Sequence, residues 1–381
     1  MSLPILHLHG TPYDQGRQHG AALRDRIEHN LAVYFDRFEH EGRVARPEVL
    51  ARAQSYRETI ADHSRDYFDG LRGVADGSGC DLLELIALNV RYEILYYQFG
   101  VNAMADGCTA FAIMPDRTAN GHLIIGQNWD WIPQVQGAIL HTVEADGLET
   151  IAFTEAGIVG GKIGLNSAGL GLAINGITST DDDWSRLSKP FHVRCYEIMR
   201  SRNFDAAARI VTGTQRACST NFLIAQAPDR IVNIEAAPDN VHVLDCEDGC
   251  VVHTNHFVDP AGAGIVEPPS TRRPYSYHRR SRMRALLTAR GTHTISELQA
   301  YLCDHQEYPY SICRHEDPAG PAAEQYRTIT AVLMDLHERR IWLSDGTPCV
   351  SEFEELRLDA EKPLVGDRSG NHGGRVGSIE R

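Results

Sequence analysis

The stretch Asp106-Gly107-Cys108-Thr109-Ala110-Phe111 divides this chain into two parts of different texture. Before it, apolar residues recur at spacings of three and four. After it, short apolar or alternating runs are separated by Gly, Asn and Asp. The first pattern is typical of helices and the second of antiparallel strands. The stretch therefore marks the boundary between a helical N-terminal part and a strand-rich remainder.

The helical part has recognisable start signals. Thr11-Pro12-Tyr13-Asp14 offers an N-cap hydroxyl, a proline at the first helical position and an acid in the first turn. A helix with an apolar face reaching Phe38 should follow, and 47–61 repeats the spacing more weakly. Asp81 and Glu84 have capping-box spacing before the apolar run 82–97. Three or four helices are expected before residue 100.

The strand-rich part predicts antiparallel sheets with a few helices. Strands are expected over 109–113, 123–127, 139–143, 151–154, 161–165, 170–174, 221–225, 231–236, 242–244, 251–253, 328–335 and 340–344. Helices are expected over 191–200, 205–212, 275–289 and 296–302. This order favours a layered α+β fold over alternating βαβ units. We expect one domain over 1–365 and a disordered tail over the Gly-, Ser- and charge-rich 366–381.

Composition excludes several classes of function. The net charge is -14 and no basic stripe is interleaved with aromatic residues, so nucleic acid is not expected as a partner. No signal-peptide core or apolar run of membrane-spanning length is found, which predicts a cytoplasmic protein without a membrane partner. Nine cysteines without framework spacing should be mostly reduced thiols. No glycine-rich nucleotide loop is evident, so no cofactor is expected, and a homo-oligomer is left open.

Cys108 is the first candidate for chemistry. Gly107 leaves its own carbonyl open to approach, and a thiol one residue further on can attack it. Cleavage there would give Cys108 a free α-amino group, whose ordinary pKa is about 7.7–8.0. This amine can take the proton of the thiol, whose ordinary pKa is about 8.5. The alternative is that Cys108 is a small buried hydrophobe opening a strand.

A second segment, Gly126-Gln127-Asn128-Trp129-Asp130-Trp131, strengthens the chemical interpretation. It follows the strand that should form a hairpin with the strand after Cys108. The end of that second strand would return Asn128 and Asp130 toward Cys108. A carboxylate there could hold the α-ammonium group. The alternative for Asp130 is a turn carboxylate.

Four segments together resemble the acyl-coenzyme A:6-aminopenicillanic acid acyltransferase family of cysteine N-terminal-nucleophile hydrolases. They are 10–20, Gly107-Cys108-Thr109, 126–131 and His253-Thr254-Asn255-His256-Phe257. The resemblance runs in the same order from about residue 10 to about residue 345. It implies an αββα sandwich and autoproteolysis before Cys108, which gives an α chain of residues 1–107 and a β chain of residues 108–381.

The resemblance also implies roles for individual residues. Cys108 matches the nucleophile, Asp130 the acid near its amino group, and Asn255 a side chain that binds the oxyanion. Arg327 matches an arginine near the family's pocket, and Thr109 could assist self-cleavage through its hydroxyl. Ala110 departs from the penicillin-forming enzyme, which has a second hydroxyl residue there, so the penicillin substrate is not carried over.

The function expected from these residues is that of a self-processed cysteine amidohydrolase acting on a small N-acylated amine or amino acid. An acyltransferase that resolves the same acyl-enzyme with an amine is the alternative, with an acyl thioester such as acyl-CoA or an amide as the donor. A non-catalytic small-molecule-binding domain is a second alternative.

Two further groups of residues carry weaker expectations. The run Cys246, Cys250, His253 and His256 offers two thiols and two imidazoles within eleven residues, which makes zinc conceivable, but strand alternation argues against it. The pairs at 272–273 and 279–280 are arginines. They could meet an anionic substrate, although a solvated helix face is the expected role.

Overall fold

A computed structural model describes residues 3–99, 107–213, 215–267, 274–321 and 325–358. It contains two predominantly antiparallel sheets that pack face to face. The eight-stranded sheet has the order β1-β4-β5-β6-β7-β8-β9-β10, and the six-stranded sheet has the order β11-β2-β3-β12-β13-β14. The predicted tail and the arginines at 272–273 lie outside the described residues.

The strands of the larger sheet follow the alternating runs of the sequence. They are β1 (Ile5–His9), β4 (Gly137–Val143), β5 (Glu149–Glu155), β6 (Ile163–Asn166), β7 (Leu170–Gly176), β8 (Thr220–Gln226), β9 (Arg230–Ala236) and β10 (Val241–Leu244). β1 pairs parallel to β4, and the other pairings in this sheet are antiparallel.

The smaller sheet is antiparallel throughout its described pairings, and the strand that begins directly after Cys108 belongs to it. Its strands are β2 (Thr109–Ile113), β3 (Ile124–Trp131), β11 (Cys250–His253), β12 (Arg327–Asp335), β13 (Arg340–Ser344) and β14 (Phe353–Arg357). Gln127 joins the sheets through the core, because its side-chain oxygen accepts from the Ile174 N–H at 2.9 Å.

Helices cover both outer faces. α7 (Phe191–Met199) and α8 (Phe204–Thr212) pack on the larger sheet, while α9 (Pro274–Thr288) and α10 (Ile295–Leu302) pack on the smaller one. The remaining helices precede β2: α1 (Pro12–Ala22), α2 (Arg24–His40), α3 (Arg46–His63), α4 (Arg65–Ser78), α5 (Leu82–Asn89) and α6 (Arg91–Phe99). The αββα sandwich expected from the resemblance is thus confirmed.

Glycines explain the unusually close approach of α1 and α4. A Cβ placed on Gly16 would lie 2.1 Å from the Gly70 carbonyl oxygen, and one placed on Gly73 would lie 2.1 Å from the Tyr13 carbonyl oxygen. Neither position has room for a side chain, because backbone meets backbone there. Gly16 therefore has a packing role, as does Gly20, where a Cβ would lie 2.4 Å from the Val74 carbonyl oxygen.

The predicted elements agree with the structure except near the N-terminus and at β14, which was not predicted. The region before residue 100 holds six described helices rather than three or four, because the apolar face around Leu23 and the run 82–97 are each interrupted by a short break. α4 was missed since its sequence contains Gly70, Gly73 and Gly77. The N-cap at Thr11 forms as predicted, and Asp81 caps α5 by accepting from the Leu83 and Glu84 N–H groups.

None of the described helices combines the length and the apolar character required to cross a membrane.

Candidate active site

The β2–β3 hairpin sets the position of Cys108. Thr109 pairs with Asn128, so Cys108 enters the sheet opposite the end of β3 as the sequence predicted. The backbone N–H of Asp130 donates to the Cys108 thiol. Cys108 is 5 % exposed. Asn128 also lies in this hairpin, but its side-chain amide donates to the Leu302 and Ile312 carbonyls, each at 2.8 Å, and so binds the smaller sheet to the segment after α10.

Asp130 is held from the neighbouring strand. β12 pairs with β3 so that Thr328 lies opposite Asp130, and the Thr328 hydroxyl donates to the Asp130 carboxylate at 2.7 Å. The carboxylate is buried. Asp130 is therefore fixed by the sheet register beside the Cys108 backbone, where the sequence predicted an acid.

The carbonyl of Cys108 is clamped by two side chains. Arg279 of α9 donates to this oxygen at 2.8 Å and to the Thr109 hydroxyl at 3.0 Å. Asn175 of β7 donates to the same carbonyl at 3.2 Å. Both sheets and an outer helix thus hold the backbone of residue 108 in one orientation.

Asn255 lies on the other side of the Gly107-Cys108 bond. Its side-chain oxygen accepts from the Gly107 N–H and from Arg279, each at 3.0 Å, and its amide nitrogen donates to the Gly176 carbonyl at 2.9 Å. Two donors converge on one atom of the amide, which fixes that atom as oxygen and the other as nitrogen. The predicted oxyanion residue therefore contacts the predicted cleavage site.

A buried charge cluster lies beside the thiol. Glu155 bonds with Arg91, Lys162 and the Tyr34 hydroxyl. The Lys162 ammonium also lies 3.6 Å from the centroid of the Trp129 ring. Burial raises the pKa of Glu155, but the two cations outweigh that effect and lower it to about 2. Burial lowers the pKa of Lys162 to about 8, against the opposing attraction of Glu155. At neutral pH the cluster bears one net positive charge.

These groups line a narrow cleft. Its polar lining includes Cys108, Asp130, Asn255 and Lys162. Its apolar lining comes from Tyr92, Trp129, Trp131, Ile174 and Phe191. Aromatic walls around one thiol and a few fixed polar groups are typical of a site for a small molecule with an apolar part.

The thiol is protonated in this uncleaved chain. Burial raises the pKa of Cys108 to about 11, and the negative charge of Asp130 adds to the rise. The Asp130 N–H, Arg279 and Lys162 oppose it. A proton acceptor close to the sulfur is therefore needed before the thiolate forms in quantity near neutral pH.

The structure does not bring Arg327 to the cleft. Its side chain is 44 % exposed and pairs with Glu316 at 3.3 Å. Alternation along β12 is the reason, because the adjacent Thr328 is the residue turned toward Asp130. The Arg327 side chain is therefore not part of the cleft lining, although Trp131, opposite it in β3, is, and the expected role of Arg327 near the pocket stays a prediction.

Arg279 corrects a second expectation, that the pair 279–280 forms a solvated helix face. It is 1 % exposed and has the contacts to Cys108, Thr109 and Asn255 described above. Arg280 is only partly buried and donates to the Val252 carbonyl at 3.2 Å. Lys162, Asn175 and Arg91 were likewise not singled out from the sequence.

The zinc alternative at Cys246, Cys250, His253 and His256 is also wrong. His253 bonds with Glu235 at 2.8 Å and His256 with Ser276 at 2.7 Å, while Cys246 is exposed. The four do not form one of the ligand clusters found among the described residues.

A second cleft lies between α1 and the larger sheet. The residues that line it include no cysteine, and burial lowers the pKa of its His19 to about 4, so this imidazole is neutral. Glu144 and Arg200, which also line this cleft, pair with each other. The cleft at Cys108 is the better candidate for catalysis.

Comparison with known proteins agrees with this geometry. Residues 117–349 match the family model described as acyl-coenzyme A:6-aminopenicillanic acid acyl-transferase. The chain belongs to this family. It is an enzyme of the N-terminal-nucleophile hydrolase and acyltransferase type, and its αββα sandwich is the fold of that type.

Relatives are found at moderate identity. The chain is 29% identical over 323 residues to the acyl-coenzyme A:6-aminopenicillanic-acid-acyltransferase 40 kDa form of Emericella nidulans, covering 81% of this chain and 85% of the relative. It is 20% identical over 307 residues to an uncharacterized protein of Archaeoglobus fulgidus, covering 67% of this chain and 50% of that protein.

Solved structures give weaker matches. The Caenorhabditis elegans N-acylethanolamine-hydrolyzing acid amidase ortholog matches with a TM-score of 0.45 and 12% identity, over 66% of this chain and 100% of that chain. A mutant of the conjugated bile acid hydrolase from Clostridium perfringens matches with a TM-score of 0.44 and 9% identity, over 66% of this chain and 97% of that chain.

Proposed function

We propose that this protein is a self-processing cysteine amidohydrolase that cleaves the amide bond of a small N-acylated amine or amino acid. The observation that carries the proposal is the convergence of the Asp130 N–H, Arg279 and Asn255 on the Gly107-Cys108 unit at the edge of an aromatic cleft. Such groups around one thiol suit acyl transfer through a covalent intermediate. In this proposal one domain over 1–365 becomes two associated chains, 1–107 and 108–381.

Activation begins with an acyl shift. The Cys108 sulfur attacks the Gly107 carbonyl carbon, the carbon–sulfur bond forms, and the Gly107–Cys108 carbon–nitrogen bond breaks. The nitrogen takes up the thiol proton and becomes the α-amine of Cys108. Water then hydrolyses the thioester, giving a carboxylate at Gly107 and the free thiol. The Arg279 and Asn175 clamp supports this step, since it holds the backbone while the sulfur approaches.

The new α-amine supplies the missing proton acceptor. Its ordinary pKa of about 7.7–8.0 suits exchange near neutral pH, whereas the thiol in the uncleaved chain holds its proton to about pH 11. The Asp130 carboxylate lies where it can hold the ammonium form. The net positive charge of the cluster of Arg91, Lys162 and Glu155 favours the thiolate electrostatically.

Asn255 is proposed to stabilise the tetrahedral oxyanion. Arg279 and the Gly107 N–H fix its side-chain oxygen, which leaves its amide N–H groups toward the Gly176 carbonyl and the cleft. A donor held in place before the reaction is most effective where charge appears only in the transition state. The intermediate collapses as its carbon–nitrogen bond breaks and the α-ammonium group of Cys108 gives its proton to the leaving amine. Water then hydrolyses the thioester, which releases the acid and restores the thiol.

Acyl transfer is the second candidate, because the family and its Emericella nidulans member are named for it. The same acyl-enzyme on Cys108 would then be resolved by an amine, with an acyl thioester or an amide as donor. The cleft's aromatic walls fit an apolar acyl group in both reactions.

The test is to trap the acyl-enzyme. Processed protein is mixed with a panel of N-acyl amines and acyl thioesters, quenched in acid and digested, and the acyl mass is located by tandem mass spectrometry. We expect the label on Cys108, its absence in Cys108→Ala, and its persistence in Cys246→Ser, which removes an exposed thiol. A label on Cys246 alone, or an active Cys108→Ala protein, would refute the mechanism. Adding a competing amine separates transfer from hydrolysis by the product formed.

A further inference from the structure

A group of four potential metal ligands lies away from the Cys108 cleft. His305, Cys313 and His315 belong to the connection between α10 and β12, and Cys349 follows β13. Each offers one ligand atom, and these atoms all lie within 4.8 Å of one another. In the described part of the chain, no other group of three or more His, Cys, Asp or Glu residues has its ligand atoms this close together.

The three separations from His315 match those around a tetrahedral ion. Nε2 of His315 lies 3.1 Å from Nε2 of His305, 3.7 Å from Sγ of Cys313 and 3.4 Å from Sγ of Cys349. Zinc bonds of about 2.0–2.1 Å to nitrogen and about 2.3 Å to sulfur require nitrogen–nitrogen edges of about 3.3 Å and nitrogen–sulfur edges of about 3.6 Å. All three observed separations lie close to these edges.

Hydrogen bonding among these side chains explains the arrangement poorly. Nε2 of His315 lies near three polar atoms at once, although an imidazole nitrogen offers either one N–H or one lone pair. Both histidines also present the same ring nitrogen to each other. A cation at the centre would accept one lone pair from each of the four residues.

We propose that His305, Cys313, His315 and Cys349 bind one structural zinc ion. Two thiolates and two imidazoles in a closed tetrahedron are the donor set that zinc prefers. Cys313 is buried, and His315 and Cys349 are partly buried, which suits an ion with a structural role. The proposal concerns stability and does not depend on the reaction at Cys108.

The ion would bind the connection after α10 to the segment after β13, close to the supports of the cleft. Ile312, next to Cys313, accepts from the side chain of Asn128 at 2.8 Å. Arg314, between the ligands Cys313 and His315, donates its backbone N–H to the Thr328 hydroxyl at 2.9 Å, and that hydroxyl donates to Asp130. Zinc would therefore order backbone that positions Asn128 and Asp130.

The experiment measures metal in the full-length protein. Protein purified without chelator is analysed by inductively coupled plasma mass spectrometry, and the stripped protein is titrated with Zn²⁺, Co²⁺ and Cu⁺. We expect about one zinc per chain and, with Co²⁺, the intense visible absorption of a tetrahedral site with thiolate ligands. His305→Ala removes an exposed ligand and Cys349→Ser a partly buried one, and both should lose the zinc while keeping the circular dichroism of the wild type.

Two thiol variants serve as controls. Cys303→Ser changes a half-buried cysteine close to Cys349 that is not among the four ligands, and Cys246→Ser changes an exposed one; both should keep about one zinc. Zinc retained in His305→Ala and Cys349→Ser would overturn the proposal. So would stripped wild-type protein that fails to bind Zn²⁺, a Cys313–Cys349 disulfide in freshly purified protein, or preferential recovery of copper.

Discussion

Replacing Arg279 by glutamine tests whether the clamp on Cys108 is as important as the structure indicates. The guanidinium is buried and donates at 2.8 Å to the Cys108 carbonyl and at 3.0 Å to both the Thr109 hydroxyl and the Asn255 side-chain oxygen. Hydrogen bonds from a charged donor contribute about 1.5–3 kcal/mol each, so three give an upper limit of about 4.5–9 kcal/mol. The desolvation of the buried cation offsets part of this sum, and we expect a loss of about 3–5 kcal/mol.

Arg280→Gln is the matched control. Arg280 is the next residue on α9 and donates at 3.2 Å to the Val252 carbonyl, so its loss should cost about 1 kcal/mol. Urea unfolding, followed by tryptophan fluorescence, measures the loss of stability in both variants. It is done in a Cys108→Ala background, which keeps every protein as one chain. In protein that retains Cys108, Arg279→Gln should also slow self-cleavage, while Arg280→Gln should not. Equal midpoints and equal cleavage rates for the two variants would refute the role given to Arg279.

Three further predictions concern the same region. The raised pKa of Cys108, about 11, lies above the working range, so self-cleavage should accelerate about tenfold per pH unit between about pH 7 and 9. Turnover by the processed enzyme should instead level off above about pH 8, because its α-amine titrates there. Parallel pH profiles for cleavage and turnover would contradict this account. Glu155→Gln leaves Arg91 and Lys162 without their carboxylate and should destabilise the protein by about 3–5 kcal/mol at pH 7. Since the pKa of Glu155 is lowered from 4.5 to about 2, this stabilisation is present above pH 4.5 and lost toward pH 2, so unfolding midpoints of wild type and variant should converge there, and a constant difference would argue against it. Asn255→Ala should lower kcat by about 10²- to 10³-fold with the fold intact, and an unchanged kcat would return Asn255 to a structural role.

The sequence pattern predicted short buried strands most accurately. β2 and β13 match the predicted bounds residue for residue, and the hairpin argument placed Asp130 beside Cys108 correctly. Short strands with alternating or fully apolar runs carry that signal locally. β1 and β14 were not predicted; β14 has three charged residues among its five and no fully buried position, so it lacks the apolar signal of the other strands.

Buried charged residues were the main source of error in the prediction of the active site. Arg279 and Lys162 were not assigned to the site because charged residues are usually solvated, and only the tertiary structure provides the partners that make burial possible. The sequence gives no local sign that Lys162 will meet Glu155 and Arg91. Arg327 is absent from the cleft lining for a simpler reason, that alternation along β12 turns its neighbour Thr328 toward Asp130.

The two cysteine–histidine groups also show that local sequence does not reveal which residues meet in the fold. Cys246, Cys250, His253 and His256 are close in sequence, but Cys250, His253 and His256 bond to different partners in the fold and Cys246 is exposed. His305 and Cys349 are 44 positions apart (349 − 305) and converge because the connection after α10 folds back beside the segment after β13. Spacing identifies ligands only when they lie on one local motif.

The most direct test of the central claim is the intact mass of the purified protein after denaturation. The account predicts two chains, residues 1–107 and residues 108–381 with Cys108 at the new N-terminus, and a single chain for Cys108→Ala. A wild-type protein that remains one chain after prolonged incubation, yet turns over an amide substrate, would contradict the claim that activity depends on cleavage before Cys108.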